Sequence, residues 1–312
     1  MARPLRIEYP GAYYHVTSRG NEQKDVFKSQ KDREKFLSYL ESATKRYDAV
    51  IHAYCLMGNH YHLLLETPAG NLAEIMRHIN GAYTTYFNVK RKRSGHLFQG
   101  RYKAILVEVD EYATELSRYI HLNPVNAHII ARPEDYQWSS YRCYIGQSLP
   151  PAWLKMDFVL EYFAVNAADA SNKYRQFVED KLGKEYASPL KAVVGSSLLG
   201  SQGFIEEITA VHLQEKAVGR DVPALRQLTR QPQPEDIIRE VKAVFAENEK
   251  QARLAAMHLC HKYSGSKLRQ IGSLFDVRES AITEGSRRFA LKMIEDKQLK
   301  LMVEEVKGTL GI

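Results

Sequence analysis

The chain has 312 residues, more than one compact domain usually needs, with 44 Lys plus Arg against 37 Asp plus Glu, a net charge of +7 and a pI near 9.1. That length supports two or three modules, and the charge balance leans toward an anionic partner. No apolar run approaches the roughly 18 residues of a membrane span. Cys55, Cys143 and Cys260 form neither a C-x-x-C pair nor a disulfide framework, and the start, MARPLRIEYPGAYYHV, has no apolar signal core, so a cytoplasmic protein that makes no membrane contact is expected.

In chain order, AYYHVTSRG (12–20) is β-branched and aromatic enough for a strand, and QKDREKFLSYLESATKRY (30–47) sets Phe36, Leu37, Leu40 and Ala43 at helical spacing. AVIHAYCLMG and HYHLLLET read as strands paired across a Gly58-Asn59 turn. Asn71 is positioned to cap a second helix, NLAEIMRHINGAYTTYFNVKR. RYKAILVEV is a fourth strand, and Asp110 can cap a third helix that ends at Asn123-Pro124. The order β-α-β-β-α-β-α predicts an α+β fold, a ferredoxin-like antiparallel sheet with helices on one face.

Past residue 146 the texture changes. QSLPPAWL looks like a boundary, residues 153–218 are mostly helical in pattern, and DVPALRQLTRQPQPED (221–236) is a Pro- and Gln-rich linker. The last segment is all-α in pattern, and within it SKLRQIGSLFDVRESAITEGSRRFALKMI has the spacing of a helix-turn-helix. Three regions are expected: 1–146, a connector and linker at 147–235, and 236–312.

The basic residues are not evenly spread. KRKRSGHLFQGRYK carries Lys90, Arg91, Lys92, Arg93, Arg101 and Lys103 with no acid among them, interleaved with His96, Phe98, Gln99 and Tyr102. Cations for phosphates beside aromatic faces for unpaired bases suit a nucleic-acid strand. A solvated helix end followed by a strand would look the same.

In GNHYHLLLET, His60 and His62 point to one face of a strand and Tyr61 to the other, so two imidazoles can grip one cation. Eleven histidines in 312 residues produce such a triplet about 0.4 times by chance, and a hydrogen-bonded strand pair is the plainer reading. In SRYIHLNPVNA, Tyr119 and Asn123 lie one helical turn apart on one face, while His121 points off it. The Asn123 amide oxygen could be a third ligand, and the Tyr119 phenol could attack a phosphorus. The alternative is an amphipathic tyrosine and an ordinary C-cap.

Five ordered blocks carry a resemblance: PGAYYHVTSRGN, YCLMGNHYHLLLET, GHLFQGRYKAILVE, YIHLNPVNA and YQWSSYRCYIG. Over residues 5–146 the chain resembles the REP-associated tyrosine transposases, a branch of the single-tyrosine HUH transposase superfamily. The resemblance implies an HUH nuclease core that cuts single-stranded DNA beside a palindromic hairpin and remains attached as a 5′-phosphotyrosine. By motif position it implies Tyr119 as nucleophile, His60, His62 and Asn123 as ligands of Mg²⁺ or Mn²⁺, and action as a monomer or homodimer. Arg19, Asn21 and the block from Lys90 to Lys103 are expected to contact DNA.

The tail ARLAAMHLCHKYSGSKLRQIGSLFDVRESAIT is similar to the duplex-binding domain of the DnaA initiator. Its Arg278-Glu279-Ser280-Ala281-Ile282 departs from that family's base-reading signature, so mostly sequence-tolerant duplex contacts are expected, from Lys267, Arg269, Arg278, Arg287 and Arg288. Two rival functions are a DNA-binding regulator with an idle nuclease site and a metal-dependent hydrolase of small substrates.

Overall fold

The computed structural model describes residues 6–184, 187–213, 232–246, 248–264 and 266–310. The chain divides into two compact units, residues 1–224 and 225–312. Most of the expected linker, residues 221–231, lies outside the described residues.

The first unit is built on strand β1 (Ala12–Arg19), helix α1 (Gln30–Tyr47), β2 (Val50–Leu56), β3 (His60–Thr67), α2 (Leu72–Lys90), β4 (Lys103–Val107) and α3 (Val109–Asn126). The sheet order is β2-β3-β1-β4, antiparallel throughout, as in a ferredoxin-like split unit. Beyond these come short helices α4 (Tyr141–Tyr144) and α5 (Asp157–Leu160), then α6 (Ala167–Glu179), β5 (Leu198–Leu199) and α7 (Gln202–Leu213).

The α+β class is as expected, with two differences in detail. The two-residue β5 adds to β4 in parallel, making the sheet mixed. A pair of leucines is too short to show a strand period in sequence. The helices also occupy both faces. Tyr61, fully buried, meets Phe36 of α1 with ring centroids 4.7 Å apart and donates to Asn80 of α2, so α1 and α2 cover its face. On the other face Ala53, Cys55 and Leu64 pack with Leu116 and Ile120 of α3, and with Tyr141, Tyr144 and Tyr174. Both faces are apolar, so both need a cover.

Local chemistry sets the helix ends. Ser29 accepts the Asp32 amide at the start of α1, and Asp48 ends it in the left-handed region at φ 53°. Asn71 does precede α2, but its side chain donates to the Tyr47 carbonyl, and the Glu8 carboxylate instead accepts the Ala73 amide of the first turn. Asp110 is likewise not the cap of α3. It lies in the first turn, Glu108 holds the cap position, and the Glu108 carboxylate accepts from Ser201. The helix also continues through Pro124 to Asn126. Proline removes the donor that would reach the Ile120 carbonyl, while the Ala127 amide still bonds to Asn123 and closes the turn.

The second unit contains α8 (Pro234–Val244), α9 (Glu249–Tyr263), α10 (Leu268–Leu274), α11 (Glu279–Glu295) and α12 (Lys297–Leu310). Ile237, Val241, Phe245, Ala255, Leu259, Ile271, Ile282 and Val306 form its core. Helices α10 and α11 are joined by the short segment 275–278.

Candidate active site

The site lies on the α3 face of the sheet, where β3 begins. His60 pairs in register with Arg19 and His62 with Thr17, so Arg19 and Thr17 flank the two imidazoles. His15, two residues before Thr17, shares that face. Its Nε2 lies 2.9 Å from His62 Nδ1. His60 Nδ1 donates to Asn59 Oδ1 at 2.6 Å.

Helix α3 lays Tyr119 across these rings. Its ring meets His62 edge-on, centroids 5.8 Å apart at 89°, and His15 in the same way at 6.0 Å and 85°. Asn123, one turn on, donates Nδ2 to the Tyr119 carbonyl at 2.8 Å. Thus the helix repeat places phenol and amide together, and β3 brings the histidines to them.

The electrostatics keep the rings neutral. Burial pushes His15 down to about 4, and burial with the Arg19 charge does the same for His60. His62 falls well below the ordinary range, through burial first and then through His15, His60 and Arg19, with the Asn123 amide pulling the other way. Neutral imidazole is the form that coordinates a metal. His62 Nε2 is buried without a hydrogen-bond partner within bonding geometry among the described residues, on the side of the ring that the Asn123 amide influences. That orphan fits a cation site, although no group of three His, Cys, Asp or Glu side chains is arranged to hold a metal among the described residues. A site here needs the Asn123 oxygen as its third protein donor.

The basic block separates into two parts. Lys90 and Arg91 are spent on Asp32, at 2.6 and 2.7 Å, and that carboxylate is fully buried. Burial alone would raise its pKa, but hydrogen bonds from Lys90, Arg91, Ser29 and the Lys28 amide outweigh it and bring it down to about 2. These two cations join α1 to α2. Lys92, Arg93, His96, Gln99, Arg101 and Lys103 are exposed, and the segment is tied to the end of β1 by the Asn21 amide to Leu97 and the Gln99 amide to Arg19. That brings Gln99 next to exposed Arg19 and Asn21 in the chain path.

The sequence reading missed His15, because a lone histidine inside AYYHVTSRG gives no signal of its partner 47 residues on. Arg6 and Arg77 line a cavity of about 570 Å³ with His96, Phe98, Arg101 and Tyr102 on the α2 side of the sheet. His121 is fully buried between the Tyr174 hydroxyl and Ser140 Oγ, a core polar contact. In the second unit Lys267, Arg269 and Arg278 are exposed around the turn between α10 and α11. Arg287 and Arg288 are exposed but both pair with Glu284, at 3.1 and 2.8 Å.

Residues 8–123 match the family described as "Transposase IS200 like", a span that contains His15, His60, His62, Tyr119 and Asn123. No curated protein matches the chain. One solved structure, "Structure of the REP associates tyrosine transposase bound to a REP hairpin", is similar at 15% identity with a TM-score of 0.41, over 50% of this chain and 92% of that one.

Proposed function

We propose that the IS200-like transposase segment, residues 8–123, is a DNA-nicking and strand-transfer enzyme that acts through Tyr119 on single-stranded DNA beside a palindromic hairpin of REP type. The observation that carries the reading is the meeting of Tyr119 with His62 across two elements, with Asn123 one turn away. A phenol in contact with two neutral imidazoles and one helical turn from an amide oxygen supports a phosphoryl-transfer centre.

Tyr119 is the nucleophile. Its oxygen attacks the scissile phosphorus in line, the P–O3′ bond breaks, the 3′ oxygen leaves to end as a hydroxyl, and the 5′ phosphate stays on tyrosine. The 3′ hydroxyl of another end reverses the step and frees the enzyme, which is strand transfer. A divalent cation, Mg²⁺ or Mn²⁺, held by His60, His62 and Asn123 would polarise the phosphate. Arg19, facing His60, neutralises phosphate charge, and exposed Lys92, Arg93, Arg101 and Lys103 hold the strand. The helix-turn-helix of the second unit adds contacts to flanking duplex.

A labelled single-stranded hairpin substrate tests this on a denaturing gel. The wild type should give a covalent adduct and a cut product in Mn²⁺, and Tyr119→Phe should give neither while binding the hairpin within a few-fold. Hairpin binding by the wild type without any adduct would instead identify a DNA-binding regulator with an idle site.

A further inference from the structure

We infer that His15 is a positioning residue for the metal centre: its Nε2 accepts the hydrogen bond of His62 Nδ1–H and thereby holds His62 Nε2 open as a ligand atom. The inference rests on the metal-centre reading above, and the two histidines of β3 differ in what faces their Nδ1 atoms. His60 faces Asn59 Oδ1, and a carbonyl oxygen only accepts. Its hydrogen must therefore sit on Nδ1, which leaves Nε2 bare. His62 has no carbonyl at Nδ1 to do this. Its Nδ1 meets another imidazole nitrogen, His15 Nε2, at 2.9 Å.

The two rings are nearly parallel, 7° apart with centroids at 5.1 Å, so an in-plane N–H of one can meet the in-plane lone pair of the other. One hydrogen occupies that contact. If it belongs to His15 Nε2, His62 carries its own hydrogen on Nε2, the atom that must coordinate. If it belongs to His62 Nδ1, then His62 Nε2 is a bare lone pair and His15 keeps its hydrogen on Nδ1. Coordination through His62 Nε2 would require the second arrangement, with His15 Nε2 as acceptor. The pair holds two hydrogens before and after: one passes from His62 Nε2 to water, one moves across the contact to His62 Nδ1, and one is returned by water to His15 Nδ1 as the ring exchanges.

The outer atoms of this pair bear the marks of such a device. His62 Nε2 and His15 Nδ1 are both buried with no hydrogen-bond partner among the described residues, where buried polar atoms are nearly always paired. His15 is 1% exposed, so solvent does not serve it. Its ring also meets the edge of Tyr119, which makes one side chain of β1 a support for both the ligand and the nucleophile. Partners of metal-bound histidines fix ring orientation and tautomer in this way.

The experiment titrates Mn²⁺ into the full-length protein and reads free Mn²⁺ by electron paramagnetic resonance, without DNA and without turnover. His15→Phe keeps a ring of similar size and loses the acceptor, and should weaken Mn²⁺ binding by about 10- to 100-fold, while His15→Gln, which retains an acceptor, should stay within about threefold of wild type. Hairpin binding in EDTA should be the same for all three. Long-range ¹H–¹⁵N spectra of the Mg²⁺-loaded wild type should show the His62 hydrogen on Nδ1, a readout that stands even if a variant fails to fold. Equal Mn²⁺ affinity for wild type and His15→Phe, or a hydrogen on His62 Nε2 in the loaded protein, overturns the assignment and leaves the metal centre in place. A wild type that takes up no Mn²⁺ overturns the metal reading itself.

Discussion

Residues at this site matter through the atoms they leave unshared. On the proposed reading His60 and His62 would supply nitrogen ligands, kept neutral by burial, whereas Asn123 would supply an amide oxygen and already gives its NH₂ to the helix backbone. Single-turnover cutting of a hairpin should therefore fall on the order of 100-fold for His60→Ala or His62→Ala, and on the order of 10-fold for Asn123→Ala. Undiminished cutting in excess EDTA would remove the metal from the mechanism. His121 makes a different prediction, because burial holds it down to about 3 inside a Tyr174 and Ser140 contact. Between about pH 6.5 and 3 the unfolded chain binds this proton and the folded chain does not. Stability is thus fully present above 6.5 and falls on acidification, by up to about 1.4 kcal/mol per pH unit. Urea midpoints measured from pH 7 to 4 should fall less steeply for His121→Gln than for wild type, and parallel slopes would show that His121 does not titrate as argued.

Among the elements, the packing of α1 against α2 decides what the basic block can do. Asp32 enters the core at the start of α1 and takes Lys90 and Arg91 from the end of α2, so the first two of the six cations are structural. Asp32→Ala should cost about 3 kcal/mol, near the lower bound for breaking a buried pair because both cations can turn to solvent. Chemical denaturation of the first unit measures it, and a loss under about 1 kcal/mol would mean that the pairs contribute little. An intrahelical arrangement in α11 leads to a related expectation. Glu284 accepts from both Arg287 and Arg288, which holds its carboxyl down to about 2 and competes with phosphate for both guanidinium groups. If the helix-turn-helix contacts duplex, Glu284→Gln should tighten duplex binding several-fold and steepen its salt dependence by about 1 to 2 in logarithmic slope.

In the whole molecule, every residue of the candidate site falls within residues 1–224, one compact unit with its own core. A chain ending at residue 224 should fold and cut a short single-stranded hairpin as the full chain does. On a hairpin flanked by duplex it should bind more weakly and with a shallower salt slope, since exposed Lys267, Arg269 and Arg278 are removed. Binding curves for the two proteins at several salt concentrations settle this, and superimposable curves would make the second unit a packing or assembly module.

The sequence by itself determined the elements and their local chemistry. Helical spacing of Phe36, Leu40 and Ala43 marked α1, and an apolar run after the turn at Gly58-Asn59 marked β3 and the hairpin, because these signals act over a few residues. The pairing of His60 with His62, and of Tyr119 with Asn123, was legible for the same reason: each pair lies within one strand or one helical turn. Tertiary structure alone decided which of these pairs met. It brought α3 across the face of the sheet opposite α1 and α2, added β5, and carried α3 through a proline that reads as a stop. It also joined His15 to His62 and Asp32 to Lys90 and Arg91, across 47, 58 and 59 residues of chain. Contacts at such separations arise from strand register and helix packing, which leave no periodic trace in the intervening sequence.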